Sequence, residues 1–469
     1  MSNINAGTAR IDITPSGPIS MGGFGQRTTE SVGVHDPIWT KALFLSNGQE
    51  KLLLITSDLI AIPGALSQEV VSELVDKVGL TPAQICMTAS HTHSGPAVRK
   101  MASRPSKHVD DYLDFLTSAL VDVAEEAVQN AAPSELKTAK GEVDFLINRR
   151  TRGNPNIVDD RVYALSVEDP ESGETKAALF GCSCHPVCVG YENYEISADY
   201  PGYAQRFVEE QLPTANALFF NMAEGNMIPS TREPWPSMDP RGYDGAAFED
   251  AEEIGSRLSA EIVKILKDTP VRESLTLSCL RRDCSVLLNK HDLDSDIAWQ
   301  EAGKREVVIS EYLGEDYFAE VTPGNLSPLE SLWADACKKV VEEDMDEPEM
   351  RRLLSSICQY RVYLTRALDP ARGPVDVPIQ VININEYAFL ALPGEILVEV
   401  SFAWQDALRS DNAFIIGLAN DTFGYLPHSS NFEEPDAERR YETIMTALKP
   451  GAADILVEEA AAMYRSEAE

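Results

Sequence analysis

Basic side chains are scarce in this sequence: 40 Lys and Arg stand against 75 Asp and Glu, a net charge of −35. Nucleic acid or an anionic membrane surface would be repelled by such a chain, so neither is expected as a partner. Taken alone, the acidity serves solubility or suits a salty habitat. No apolar run approaches the ~20 residues that a membrane-spanning helix needs. The opening "MSNINAGTARIDITPSG" has neither a basic nor an apolar segment of the secretory kind. A cytoplasmic protein is expected, with its eight cysteines held as reduced thiols rather than as a disulfide framework. Internal repeats, low-complexity tracts and long Pro/Gly/Ser linkers are also missing.

What is present is enough apolar residue, 43% of the chain, to build a sizeable core over 469 residues. Strand-like apolar runs alternate with helical patterns, the mark of an α/β fold. "KLLLITSDLI" (51–60) reads as a buried strand, and Val70, Val71, Leu74, Val75 and Val78 then fall on one helical face that stops at Gly79. "QICMTAS" reads as the next strand, followed by a helix from about Asp110 to Ala131. Further strands are expected at "RVYALSVED", "KAALFGCSCH", "NALFFNMAE", "VPIQVININ", "YAFLAL" and "AFIIGLAN". Helices are expected after Pro201, at about 396–409 and at 451–465. The expected architecture is mixed β-sheets flanked by helices, one large catalytic domain over 1–469. Within it, residues 289–365, charged and helical in pattern, form an insertion that shapes a substrate entrance or joins copies of the chain into a homo-oligomer.

Four polar segments each follow directly on an apolar strand: "SHTHSGP" (90–96), "CHPV" (184–187), "LPGEI" (392–396) and "LANDTFGYLPHS" (418–429). Ligands of open α/β sheets bind beyond the carboxyl ends of the strands, so these segments are candidates to converge. His91 and His93, two apart, point the same way if the strand continues through them. Two imidazoles from these segments, which also offer His185, would with the carboxylate of Glu395 and the phenolate of Tyr425 give a borderline metal such as zinc a mixed nitrogen and oxygen shell with room for water. A His-x-His pair by itself is equally a polar strand ending. "CSCHPVC" offers thiolates, but no second cysteine pair follows at the spacing of structural zinc sites, and its alternation suits small core residues. Asp58 and His35 are weaker candidates, each more simply read as a turn or loop residue.

Together, "SHTHSGP", "CHP", "PGE" and "GLAND…GY", with the opening "AGTARIDITP…MGGFGQR" and "INRRTRGN", resemble the neutral ceramidase family in content and order. The resemblance runs over most of the chain in scattered blocks. It implies a zinc (Zn2+) site made by His91, His185, Glu395 and Tyr425, with His93 beside the reacting carbonyl. It also implies that Arg149 faces the substrate and that Tyr441, in "RRYE", assists the oxyanion; the last match needs a short insertion after Tyr425. Two departures stand out. The family's "GDVSPN" reads "GNMIPS" here, so Asn226 replaces an aspartate and Ile228 replaces a serine of the ceramidase active site. The sequence also ends soon after the last motif, without the immunoglobulin-like C-terminal domain of ceramidases.

Against the acidic background two segments are basic: Arg99, Lys100, Arg104 and Lys107 without an acid from Ser94 to Val109, and Arg149, Arg150 and Arg152. Arginine suits carboxylate recognition, which makes Arg99 and Arg152 candidate substrate-binding residues for a small-molecule or oligosaccharide anion. Solvated loops balancing acidic neighbours would look the same. The leading expectation is a zinc-dependent hydrolase of an amide, with His93, Arg149 and Tyr441 as its catalytic side chains. The alternatives are a metal-assisted β-eliminating lyase acting on a uronate sugar, and a non-catalytic relative that binds a ligand in the same pocket.

Overall fold

A computed structural model of the chain describes residues 4–98, 108–150, 157–213, 215–231, 247–290, 293–318, 321, 329, 331–368, 373–435 and 437–468. Its architecture is mixed α/β, as the alternation of patterns predicts, and one arrangement recurs three times. In each case an antiparallel sheet ends in a parallel pair of strands joined through a helix. Lys51–Ser57 leads through helix Gly64–Val78 to Ile85–Ala89. Thr175–Cys182 leads through helix Asp199–Gln211 to Asn216–Asn221. Tyr387–Ala391 leads through helix Val398–Leu408 to Ala413–Ile416.

The antiparallel remainder of the three sheets comes from Asn5–Asp12 and Trp39–Ser46 in the first, Glu135–Glu142 and Arg161–Glu168 in the second, and Leu277–Val286 and Val375–Ile384 in the third. Their inner faces meet in one core, where Leu43, Leu45 and Leu54 join Leu165, Leu179 and Leu218, and Ile382, Phe389 and Phe414. At its centre the Tyr163 ring stands edge-on to Phe389, with centroids 4.8 Å apart. The outer face of each sheet carries two helices: Gly64–Val78 with His108–Gln129, Asp199–Gln211 with Phe248–Asp268, and Val398–Leu408 with Ala452–Ala468.

Burial on both faces explains the unbroken apolar runs. In Lys51–Ser57, Leu52 and Leu54 enter the common core while Leu53 and Ile55 pack under the helices. Phe219 and Phe220 divide in the same way, as do Ile415 and Ile416. Strands covered on both sides lose the alternation of half-exposed ones. Each such aliphatic side chain contributes about 1.5–3 kcal/mol by leaving water.

The segment at 289–365 falls on three helices, Ser295–Leu313, Leu332–Glu342 and Glu347–Leu368. They enclose a cluster of their own, with Ile309, Val340, Leu353 and Ile357, against which Tyr441 and Met445 also pack. These helices therefore rest on the short helix Tyr441–Ile444.

Candidate metal centre

Every polar segment singled out in the sequence begins beyond the carboxyl end of one of the three parallel pairs. His91 and His93 follow Ile85–Ala89, His185 follows Thr175–Cys182, Glu395 follows Tyr387–Ala391, and Tyr425 lies beyond Ala413–Ile416. Glu395 and Tyr425 then sit side by side in a two-residue parallel ladder, Glu395–Ile396 with Tyr425–Leu426.

The two histidines of "SHTH" do not lie on a continuing strand. His91 takes a left-handed backbone, φ 70°, and its amide donates to the Leu59 carbonyl across 2.9 Å. Such a conformation is uncommon for any residue but glycine, although histidine adopts it more readily than most, and here it is fixed by the amide's bond to Leu59. The rings of His91 and His93 then meet edge to face, with centroids 5.0 Å apart, and their Nε2 atoms stand 3.4 Å apart.

The ring nitrogens of His91, His93 and His185 lie within 4.8 Å of one another. His91 directs Nδ1 to the Ile60 carbonyl at 2.7 Å, and His185 directs Nδ1 to the Glu224 carbonyl at 2.7 Å. A carbonyl only accepts, so both Nδ1 atoms carry the proton and both Nε2 atoms of the neutral rings turn lone pairs inward. Those atoms stand 3.5 and 3.2 Å from Glu395 Oε2. Among the described residues, His185 Nε2 and Glu395 Oε2 are nevertheless buried without a hydrogen bond. Lone pairs facing a carboxylate in a dry pocket repel one another, whereas a cation among them would satisfy all three. The donor set, imidazole nitrogen with carboxylate oxygen, fits zinc chemistry, and the backbone carbonyls that fix the two rings are the usual outer partners of histidine ligands.

Ionisation follows burial and neighbours. Burial, with Arg149 adding to it, pushes the His185 imidazole down to about 4. His93 is also lowered, by burial first and then by the other two histidines. Burial alone would raise the Glu395 carboxyl, but positive charge on the neighbouring His91 and His185 rings, once either takes a second proton, outweighs that and holds it well below the usual carboxylate range. Burial raises the Tyr425 phenol, with Glu395 adding to the shift, and burial also raises that of Tyr441.

Arg149 lies under this site. Its Nη2 donates to the Tyr425 hydroxyl at 3.1 Å and to the Gly225 carbonyl at 2.8 Å, and its Nε donates to Glu442 at 2.9 Å. Tyr441 stands half-buried beside Tyr425, with ring centroids 5.6 Å apart. Of the two replacements noted in "GNMIPS", Asn226 has a structural place: its Oδ1 accepts from the Val398 amide at 2.9 Å and its Nδ2 donates to Glu399 at 3.1 Å, at the start of helix Val398–Leu408. Ile228 is buried in a small apolar group with Phe24 and Val187. Arg99 and Arg152 lie outside the described residues.

Several weaker candidates resolve into structure. Asp58 accepts from the Trp39 amide at 3.0 Å and from Gln205 at 3.1 Å, and burial pushes its carboxyl up to about 6. His35 stacks on Phe248 at 3.5 Å and pairs with Tyr203, away from the histidine group. Cys182, Cys184 and Cys188 are core residues behind the second sheet.

Three residues escaped sequence reasoning. Glu442 and Arg150 give Arg149 its place, Arg150 Nη1 donating to Glu442 at 2.8 Å. Glu224 is fully buried, its carboxyl raised well above the ordinary value by burial and by Glu395 nearby, and neither oxygen has a hydrogen-bond partner among the described residues. The signal for it was a lone carboxylate closing the apolar run "NALFFNMAE".

Known proteins share this plan. Residues 4–241 match the model of the neutral/alkaline non-lysosomal ceramidase N-terminal region. Neutral ceramidase B of Dictyostelium discoideum is 23% identical over 519 residues, covering 96% of this chain and 70% of that protein. The neutral ceramidase of Pseudomonas aeruginosa is 25% identical over 281 residues, covering 55% of this chain and 41% of that one. The solved structure of a Pseudomonas aeruginosa neutral ceramidase superposes with a TM-score of 0.68 at 19% identity, over 99% of this chain and 75% of that one. With half of its length inside the family model and the resemblance of its motifs carried through the fold, the chain belongs to the neutral/alkaline non-lysosomal ceramidase family.

Proposed function

We propose that this protein is a zinc-dependent hydrolase of an amide bond, with the metal held by His91, His185, Glu395 and Tyr425. Family membership makes hydrolysis the reaction class. The observation that carries the metal is the pair of imidazoles whose Nδ1 atoms are tied to the carbonyls of Ile60 and Glu224, which leaves their Nε2 atoms 3.5 and 3.2 Å from one oxygen of Glu395. Bound there, zinc supplies a Lewis acid for a carbonyl and lowers the pKa of a coordinated water toward neutrality.

The chain's own groups do the rest. His93, kept neutral by burial, orients the amide and moves a proton between Nε2 and the reacting group. Tyr441, whose phenol stays protonated, donates to the oxyanion. Arg149 fixes the Tyr425 hydroxyl and adds positive charge beneath the site. Phe24, Val187 and Ile228 give the site an apolar side, which favours an N-acyl amide with an apolar body, of the kind the ceramidase relatives take, over an oligosaccharide. Neither the fold nor the relatives add support to β-elimination.

His93 supplies a second donor set, because its Nε2 lies as close to His91 as Glu395 does. Metal analysis separates the two. With the proposed set, one zinc per chain is lost in His91→Ala and His185→Ala and kept in His93→Ala, which no longer hydrolyses N-acyl amides. Loss of zinc in His93→Ala would move the ligand set to three histidines. A wild type that takes up no zinc would sink the hydrolase reading.

A further inference from the structure

The helical insertion sends one side chain to the rim of the site. Trp333 lies in the first turn of helix Leu332–Glu342, whose Leu332, Ala336, Cys337 and Val340 are buried in the insertion's own core. Trp333 itself is only half-buried, at the edge of that core. Its ring centroid stands 6.1 Å from that of Tyr441, which in turn stands 5.6 Å from Tyr425.

The other edge of the indole meets the loop "GGFG". A Cβ on Gly25 would come within 2.7 Å of the indole Cδ1 and 3.1 Å of Nε1. Two residues earlier, at Gly23, a Cβ would stand 2.6 Å from Cγ of His93. Gly23 takes φ 87°, open to glycine and strained for any other residue, and both glycines remain exposed to solvent. Between them Phe24 turns inward onto His93, with ring centroids 4.7 Å apart. One short loop thus backs His93 at one end and seats the indole at the other. The indole bridges from that loop to Tyr441.

We infer that Trp333 is a specificity-determining residue: its indole walls the substrate cleft between Gly25 and Tyr441 and limits the bulk of the group attached to the reacting carbonyl. Three features carry this. The side chain is large and rigid, it is seated against Gly25 so closely that a Cβ there has no room, and its other neighbour is Tyr441, beside Tyr425. Rejection by bulk needs such a wall, because an apolar pocket discriminates size far better against what does not fit than against what is merely smaller. The inference takes the position of the carbonyl from the zinc-hydrolase reading above.

The test is binding rather than turnover. Zinc-loaded wild type, Trp333→Ala and Trp333→Phe are titrated calorimetrically with acetohydroxamate and with adamantane-carbohydroxamate, which share a metal-binding head and differ in bulk. Wild type is expected to prefer the small compound at least tenfold. Trp333→Ala should narrow that ratio at least tenfold and Trp333→Phe by less, with zinc content unchanged in both. A ratio that is the same in all three proteins overturns the inference, whether or not both affinities fall together. Separately, hydroxamate binding without turnover of any N-acyl amide would count against the amide reading, and the size ratio would still decide the role of Trp333.

Discussion

Arg149 Nε meets Glu442 Oε1 at 2.9 Å in a place where neither side chain is more than 4% exposed. The other oxygen of Glu442 takes Arg150 Nη1 at 2.8 Å, and Arg150 reaches on to Glu434 at 3.0 Å. Two adjacent arginines thus divide one buried carboxylate, which follows Tyr441 directly on the short helix at 441–444. Burial alone would raise the Glu442 carboxyl, but the two guanidinium groups hold it below its ordinary value.

Neutralising this carboxylate should therefore cost much more than loss of a surface pair. Glu442→Gln leaves two buried cations short of their counter-ion, a change expected to cost about 3–5 kcal/mol. Glu434→Gln removes a partly exposed carboxylate that pairs with Arg150 and, more distantly, with Arg440, for which about 1 kcal/mol or less is expected. Urea denaturation of both variants checks the ranking. Glu442→Gln should also slow amide turnover in zinc-loaded protein, since Tyr441 and Arg149 both lose their anchor; equal stability of the two variants would show that the shared carboxylate is not the keystone.

His185 sets a pH dependence of the metal-free protein. In the folded chain its imidazole is pushed down to about 4, by burial first and by Arg149 next, against an ordinary value of 6.5. Between those values the unfolded chain binds a proton that the folded chain refuses, so stability rises with pH across the window and falls as pH drops from 6.5 toward 4. The contribution is about 3 kcal/mol over the full window. Urea unfolding of chelator-treated protein at pH 7, 6, 5 and 4.5 should show the fall, and His185→Asn should lessen it, with His93, also lowered by burial, keeping its own share. Zinc uptake should weaken over the same range, because a protonated ring has no lone pair to offer.

Much of this site was legible because each of its residues directly follows an apolar strand. His91, His185 and Glu395 are the first chemically distinctive side chains after runs that are buried on both faces, and such runs stand out in a sequence. Their convergence was not legible from spacing. It depends on three strand–helix–strand crossings whose sequences differ while their topology repeats, so no internal repeat announces it. Geometry at the level of single torsions was also hidden: the "SHTH" pair suggests two side chains on one strand face, whereas the rings meet through a left-handed turn at His91. Glu442 could not be read at all, because its meaning lies in Arg149, 293 residues away. Trp333 was hidden for a similar reason, since nothing in a charged helical stretch marks an aromatic that reaches the glycine loop.

Ile228 gives the sharpest test of how far the family likeness carries. It occupies the serine position of the motif, on the short strand Met227–Pro229 that pairs with Leu146–Asn148. It is 4% exposed and packs with Phe24 and Val187, with Ile147 and Tyr191 beside them. Ile228→Ser removes most of a buried aliphatic side chain and places a hydroxyl among apolar neighbours, two costs that add to about 2–5 kcal/mol. If the serine were all that separated this chain from the ceramidases, the variant would gain turnover of ceramide over wild type. The packing argues for the opposite result. The isoleucine fills an apolar group, and the new hydroxyl would sit among Phe24, Val187 and Ile147, so the variant is expected to unfold at lower urea and, on the proposed zinc amide-hydrolase reading, to bind zinc as wild type does and hydrolyse N-acyl amides more slowly. Denaturation, metal analysis and turnover of ceramide beside shorter N-acyl amides settle the matter together, and a faster variant at unchanged stability would show that the apolar wall is incidental.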